Sequence, residues 1–170
     1  MSGSVREVGE TTGDLLIRKT ALISPCGKYR YRLERIWGNE PLLPFVMLNP
    51  STADAEVDDP TIRRCMRFAR REGSGGIVVV NLYAFRAADP RRLALQPDPY
   101  GPDNFRHIDN VANSSGAIVC AWGSFPADGA YTAHRLGRLP ARLVCLGKTK
   151  DGSPRHPLYV RADQPLEPFL

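Results

Sequence analysis

The sequence predicts a three-layer αβα domain of the α/β class, with a mainly parallel four-stranded sheet and an N-terminal β-hairpin. Three observations predict it. Short apolar runs without polar alternation recur four times, which marks strands buried on both faces. Stretches with apolar residues at helical spacing separate these runs. Strand–helix alternation of this kind folds into a parallel sheet covered on both sides.

The elements follow in order. Residues 1–15 are polar and carry Gly, Ser and Thr, so they are expected to fray. Residues 21–37 read as a hairpin. Its turn is Ser24-Pro25-Cys26-Gly27, and its second strand places Tyr29, Tyr31 and Leu33 opposite Arg30, Arg32 and Glu34. PFVMLNPS, starting at Pro44, is a buried strand that leaves into a loop at Asn49-Pro50. A helix then starts with Asp59 as N-cap and Pro60 at its first position. Its apolar stripe is Ile62, Cys65, Met66 and Ala69, and Gly73 to Gly76 ends it. IVVVN, ending at Asn81, is the strongest strand signal. A Pro-rich loop spans 88–102, and helical spacing returns at Phe105, Ile108, Val111 and Ala112. AIVCAW (117–122) and RLVCLG (142–147) are further buried strands, with a helix expected over about 127–137. The tail is loop-rich, with a short strand expected at Leu158–Val160. The length of 170 residues suits one domain, residues 1–170, with its α/β core at 45–160.

Composition narrows the function classes. No apolar run approaches the roughly 20 residues that span a bilayer, and the start has no apolar leader, so no membrane partner and a cytoplasmic location are expected. Cys26, Cys65, Cys120 and Cys145 form no C-x-x-C pair, so they read as free, buried thiols and no metal is expected. The net charge is +5, and 19 of the 23 basic residues are Arg. That balance suits a polyanionic partner such as a nucleic acid or a nucleotide, and equally a well-solvated surface. The sequence has no G-x-G-x-x-G, Walker A, H-E-x-x-H or G-x-S-x-G motif, so no cofactor is expected.

In open parallel sheets, ligands bind beyond the carboxyl ends of the strands. The residues there are Asn49-Pro50-Ser51, Asn81-Leu82-Tyr83 with Arg86 beyond, Trp122-Gly123-Ser124 and Gly147-Lys148-Thr149. Asn81 stands out, because a buried amide without a partner costs a few kcal/mol. It either holds a loop or reads a ligand. Asp54 is a candidate general base or an exposed loop carboxylate. His156 lies between Arg155 and Pro157, and a neighbouring Arg would keep it neutral and able to donate one hydrogen bond. His107 and His134 read as packing or surface residues. Arg63, Arg67 and Arg70 line the polar side of the first helix and are candidate phosphate contacts.

The strings MLNPSTADAEVDDPTIRRC, VVNLYAFRAADP, AWGS, CLGKTKDG and PRHPLYV fall between residues 46 and 160. Together they resemble a bacterial and phage family known as domain of unknown function 1643, whose name implies no activity. The layout also resembles the uracil-DNA glycosylase superfamily. That resemblance rests on Asn49-Pro50 after one strand, Asn81 ending the next, Trp122-Gly123-Ser124, and a late His156-Pro157, in the same chain order. It implies a uracil-DNA glycosylase-like fold and cleavage of an N-glycosidic bond. Asn49 would then position water, Asn81 would read a base edge, and His156 would donate to the departing base. Pro50, Ser51, Tyr83, Arg86, Trp122, Gly123, Lys148, Pro157 and Tyr159 would line the ligand. This chain differs at Met47-Leu48, where that pattern has Gly, and at Leu158–Val160, which reads as a strand in place of an apolar-tipped wedge. Two functions are therefore expected: a glycosylase-like hydrolase that recognises a nucleobase or nucleotide, or a non-catalytic nucleic-acid or nucleotide-binding module.

Overall fold

The computed structural model describes residues 6–12, 17–124 and 134–170. Most of the helix expected at 127–137 lies outside the described residues; residues 134–136 are helical. The strands are β1 (Arg6–Thr12), β2 (Ile17–Ile23), β3 (Arg30–Ile36), β4 (Leu42–Met47), β5 (Gly76–Asn81), β6 (Ala117–Cys120), β7 (Arg142–Cys145) and β8 (Glu167–Pro168). The helices are α1 (Pro60–Arg71) and α2 (Asn104–Asn113), with short 3-10 turns at Pro90–Leu95 and Pro157–Tyr159.

The strands form one mixed sheet in the order β1-β2-β3-β5-β4-β6-β7-β8. The four predicted apolar strands make its parallel centre, β5-β4-β6-β7. The expectation of a mainly parallel four-stranded sheet is corrected, because antiparallel strands extend it on both sides. The hairpin joins through β3, where Leu33 pairs with Val79 and Ile36 with Gly76. An apolar β5 edge has unsatisfied N–H and C=O groups, and β3 takes them. Residues 6–12, expected to fray, pair along the whole of β2. Their polar sequence REVGETT hid them, since a ladder needs only main-chain groups. At the far edge, the two-residue β8 pairs with Val144 and Cys145.

Strand alternation splits the core between the two faces. Phe45, Met47, Ile77, Val79, Val119, Val144 and Leu146 pack with Ile62, Cys65, Met66, Phe68 and Ala69 of α1. Val46, Val78, Val80, Ile118, Cys120, Leu143 and Cys145 pack with Ile108, Val111 and Ala112 of α2. Among the described residues, α1 thus covers one face and α2 the other, with Leu136 packed on the α2 side. The sequence-based boundaries of α1 hold: Asp59 Oδ1 accepts from Ile62 N at 2.8 Å, and Gly73 takes φ +74° beyond its end. Cys65, Cys120 and Cys145 are buried, and burial raises the pKa of each thiol. Cys26 is a correction: it is exposed in the hairpin turn. His107 packs, stacked on Tyr31 with ring centroids 5.2 Å apart, and His134 is exposed.

A bulge in the hairpin matters for the site. Leu22 pairs with Arg32 and Ile23 with Arg30, so Tyr31 has no opposite residue. One extra residue flips the alternation. Arg30 and Arg35, five positions apart and so on opposite faces of an unbroken strand, therefore both reach the loop between β4 and α1. Arg30 Nη1 donates to Ala53 O, and Arg35 Nε donates to Asp58 Oδ1 at 2.6 Å.

Candidate active site

A cavity of about 820 Å³ opens at the carboxyl ends of the parallel strands. That volume falls in the usual range for small-molecule sites, roughly 300–1,000 Å³. Met47, Leu48 and Asn49 enter it from β4, Val79 and Asn81 from β5, and Trp122, Gly123 and Ser124 from the end of β6. His156 closes it from the late loop. The loop is drawn in by Gly123 N donating to Pro154 O and Arg155 N donating to Gly147 O, both at 2.9 Å. Gly123 has φ +77°, which a side chain would strain. Asn49, Ser51, Asn81, Trp122, Gly123, His156 and Tyr159 are thus brought to one cavity from segments up to about a hundred residues apart.

Asn81 is 2% exposed and lines this cavity. The strand end around it is held by another amide: Asn104 Nδ2 donates to Asn81 O and Leu82 O, each at 3.0 Å. The Asn81 side chain itself has no hydrogen-bond partner among the described residues, although the sequence left loop-holding open for it. Asn49 is engaged differently. Its Nδ2 donates to Pro50 O at 3.0 Å and to Ala87 O at 2.8 Å. Both amide hydrogens are used, so Oδ1 remains as the acceptor for a ligand or water.

His156 accepts a hydrogen bond from Leu158 N on Nδ1, at 3.3 Å. In the neutral ring the proton then sits on Nε2, which is the donor the site can use. Burial lowers the pKa of His156, and the field of Asp59 opposes that shift. The expected neutrality holds, but its cause is burial and not Arg155. Because the folded pKa lies below the unfolded value of about 6.5, stability from the neutral ring is complete above that value. It is lost as pH falls from about 6.5 through the folded pKa. NMR titration of the His156 ring is expected to give a midpoint below 6.5, and Asp59→Asn is expected to lower it further.

Other expected site residues lie outside the cavity lining. Asp54 Oδ1 accepts from Glu56 N and Val57 N, both at 2.8 Å, and so shapes its own loop. Burial raises its pKa, but those hydrogen bonds and the fields of Arg86 and Arg35 outweigh burial, and the net shift is downward. A carboxylate so occupied is a poor general base. Pro50 is buried, and its carbonyl accepts from Ala87 N at 2.9 Å. Tyr83 is buried against Tyr100. Arg86 N donates to Lys28 O at 3.0 Å, tying the loop to the hairpin turn. Lys148 sits over the Phe169 ring, and Thr149 and Lys150 line the cavity instead. Pro157 is buried, and its carbonyl accepts from Arg64 Nε at 3.2 Å.

The basic side of α1 is divided. Arg64 and Arg71 pin the C-terminal segment through Val160 O, Ala162 O and Gln164 O. Arg70 covers the Trp37 ring at 4.7 Å, and Arg63 Nη1 donates to Asp58 O at 2.5 Å. Arg63, Arg67 and Arg70 are all exposed, but two of them already have roles within the fold. The strand expected at Leu158–Val160 is also corrected. Pro157 has no N–H for a ladder and His156 caps the chain, so residues 157–159 make a 3-10 turn. That turn leaves Leu158 43% and Tyr159 80% exposed beside the cavity.

Sequence reasoning missed several lining residues, among them the charged Arg30, Asp59, Lys150 and Arg155. Arg30 was placed on the polar face with Arg32 and Glu34, and the bulge turns it to the face of Leu33. Arg155 was considered only as a neighbour of His156, yet it lines the cavity itself. Asp59 was explained as a cap, yet it is also the one carboxylate among the lining residues. The first-turn spacing Asp59-x-x-Ile62 signals the cap and nothing more. Asp59→Ala is expected to destabilise the protein by about 1 kcal/mol, the usual cost of a lost N-cap, read as a lower urea midpoint at unchanged slope.

The model for the family described as protein of unknown function (DUF1643) matches residues 30–158. The chain belongs to the DUF1643 family. The match runs from Arg30 to Leu158 and so takes in every lining residue of the cavity except Tyr159. No curated protein and no solved structure matched the chain. The DUF1643 assignment is therefore shown, while the glycosylase-like motif layout has no support from these comparisons. Among the described residues, no helix is long and apolar enough to cross a membrane.

Proposed function

We propose that this DUF1643 protein recognises a nucleobase in the strand-end cavity and hydrolyses its N-glycosidic bond. The observation that carries the reading is Asn81: a side-chain amide 2% exposed, lining a cavity, with no protein partner among the described residues. An amide offers one acceptor and two donors, which match the amide-like edge of a base. Ligand binding would supply the missing partners.

The neighbours suit the chemistry. Asn49 Oδ1 would orient a water whose oxygen attacks the sugar carbon. The glycosidic bond breaks and its electron pair leaves with the base. His156 Nε2–H would donate a hydrogen bond to the base as it gains charge. A donor aimed at developing charge is worth about 3–4 kcal/mol in comparable oxyanion sites. The proton released by the water would pass to Asp59, which replaces Asp54 as the candidate base.

The non-catalytic reading is favoured by one feature, the exposed Tyr159 beside the cavity, whose ring lies 5.6 Å from that of His156. An exposed aromatic can stack an unpaired base. The two readings separate in a base-release assay followed by mass spectrometry. The panel holds nucleotides and single- and double-stranded oligonucleotides with normal, deaminated and modified bases. Release of one base, abolished by Asn49→Ala, is the expected result. Binding without release on any substrate would leave the module reading in place.

A further inference from the structure

We propose that Arg30 forms an anion subsite in this cavity and that it takes the phosphate of a monomeric nucleotide. The inference rests on the nucleobase reading of Asn81 and names the substrate class for that site.

The fold contains a control for what a structural arginine looks like here. Arg35 is fully buried and each of its three guanidinium nitrogens has a partner: Nε donates to Asp58 Oδ1 at 2.6 Å, Nη1 to Glu34 O at 2.8 Å, and Nη2 to Asp54 O at 2.5 Å. Arg30 is 3% exposed and far less satisfied. Its Nη1 donates to Ala53 O, while Nε is buried with no partner. Among the described residues, Nη2 makes no hydrogen bond and no carboxylate lies in ion-pair contact. A guanidinium has five N–H donors in a fixed fork, so most of this one is unspent. Burial pulls its pKa down to about 10, so the ion still holds its proton at neutral pH. The fields of Asp59 and Asp54 support the charge from a distance, but a buried cation without a direct partner is costly unless something pairs with it.

Its position says what that something is. Arg30 lines the same cavity as Asn81. Its own N donates to Ala84 O at 2.9 Å, three residues beyond Asn81 on the adjoining chain. The base-reading amide and the guanidinium therefore line one cavity from neighbouring segments. Lys150 and Arg155 also line the cavity, against the single carboxylate Asp59, so the lining favours an anion. Depth argues for a monomer. A terminal phosphate enters on one connection, whereas an internal phosphodiester must carry chain in and out past a side chain with almost no exposure. Planar forks of this kind bind phosphate in a bidentate manner.

Isothermal titration calorimetry with the four ribonucleosides, their 5′-monophosphates and ribose 5-phosphate tests this on the full chain. One monophosphate is expected to bind at least tenfold tighter than its nucleoside. Arg30→Gln should erase that preference and leave nucleoside affinity unchanged. If Arg30→Gln fails to fold, Arg30→Lys keeps the stem and charge but not the fork, and should reduce the preference severalfold. Equal binding of nucleoside and monophosphate by the wild type would overturn the proposal, as would a preference that survives in both variants. Binding of oligonucleotides without any monomer would also overturn it. Arg30-dependent binding of ribose 5-phosphate with no discrimination among bases would uphold the subsite and sink the nucleobase reading. No binding of any probe would defeat both.

Discussion

Asn81→Ala is expected to weaken binding of the preferred nucleotide by about 10- to 100-fold while leaving the fold intact. The magnitude follows from the roughly 1–3 kcal/mol that a good two-point hydrogen bond to a base edge contributes. The stability expectation has a separate reason. Asn81 makes no side-chain hydrogen bond among the described residues, and its carbonyl is held by Asn104. Truncation therefore breaks no protein contact of that kind and removes a buried amide that costs free energy when unpaired. The melting temperature should hold or rise slightly. Asn81→Asp swaps the donor pair for a second acceptor and should change which base is preferred. Calorimetry on the same ligand panel, with thermal unfolding alongside, checks both. Unchanged affinity in Asn81→Ala would remove the basis of the nucleobase reading. Wild-type affinity with a collapsed melting temperature would return Asn81 to a structural role.

Arg35→Ala carries the largest expected cost in stability. Breaking a buried ion pair from one side typically costs about 3–5 kcal/mol. The lower end is expected here, because Asp58 keeps a second partner, Lys19 Nζ at 3.3 Å. The loss should appear as a lower urea midpoint. It should also reach the site. Arg35 ties β3 to Asp54 and Asp58 in the loop that ends at the cavity-lining Asp59. Freed from Arg35, that loop holds Asp59 and Ser51 less firmly, and ligand affinity should fall with stability. Asn81→Ala and Arg35→Ala thus make opposite pairs of changes: affinity without stability, and stability with affinity. A stable Arg35→Ala protein with full affinity would contradict the role given to this ion pair.

Much of the molecule was legible as pattern. The unbroken apolar runs, PFVM from Pro44, IVVV before Asn81, AIVCAW at 117–122 and RLVCLG at 142–147, were read as strands buried on both faces, and they supply the parallel centre of the sheet. Asp59-Pro60 and the stripe after it set α1 because capping and helical periodicity are local. The strand-end rule then placed Asn49, Asn81 and Trp122 in one neighbourhood, since parallel strands must point their carboxyl ends the same way, and the motif resemblance added His156.

Tertiary structure decided the rest, and in each case through a contact between residues distant in sequence. A polar edge strand at Arg6–Thr12 forms because β2 offers it a ladder, and no side-chain period records that offer. The inward turn of Arg30 depends on which residues of β2 face it across a bulge. Whether an amide is spent or available depends on its neighbours: Asn49 is tied to Ala87, Asn104 holds the strand end, and the Asn81 side chain has no partner among the described residues. Asp59 is legible as a helix cap and Asp54 as a loop carboxylate, but only the path of the loop brings Asp59 to the cavity lining and leaves Asp54 outside it. Local sequence determined the elements and their direction, because burial and capping act over a few residues. The identity of the groups that meet a ligand was set by long-range pairing, because hydrogen-bond satisfaction belongs to the whole fold.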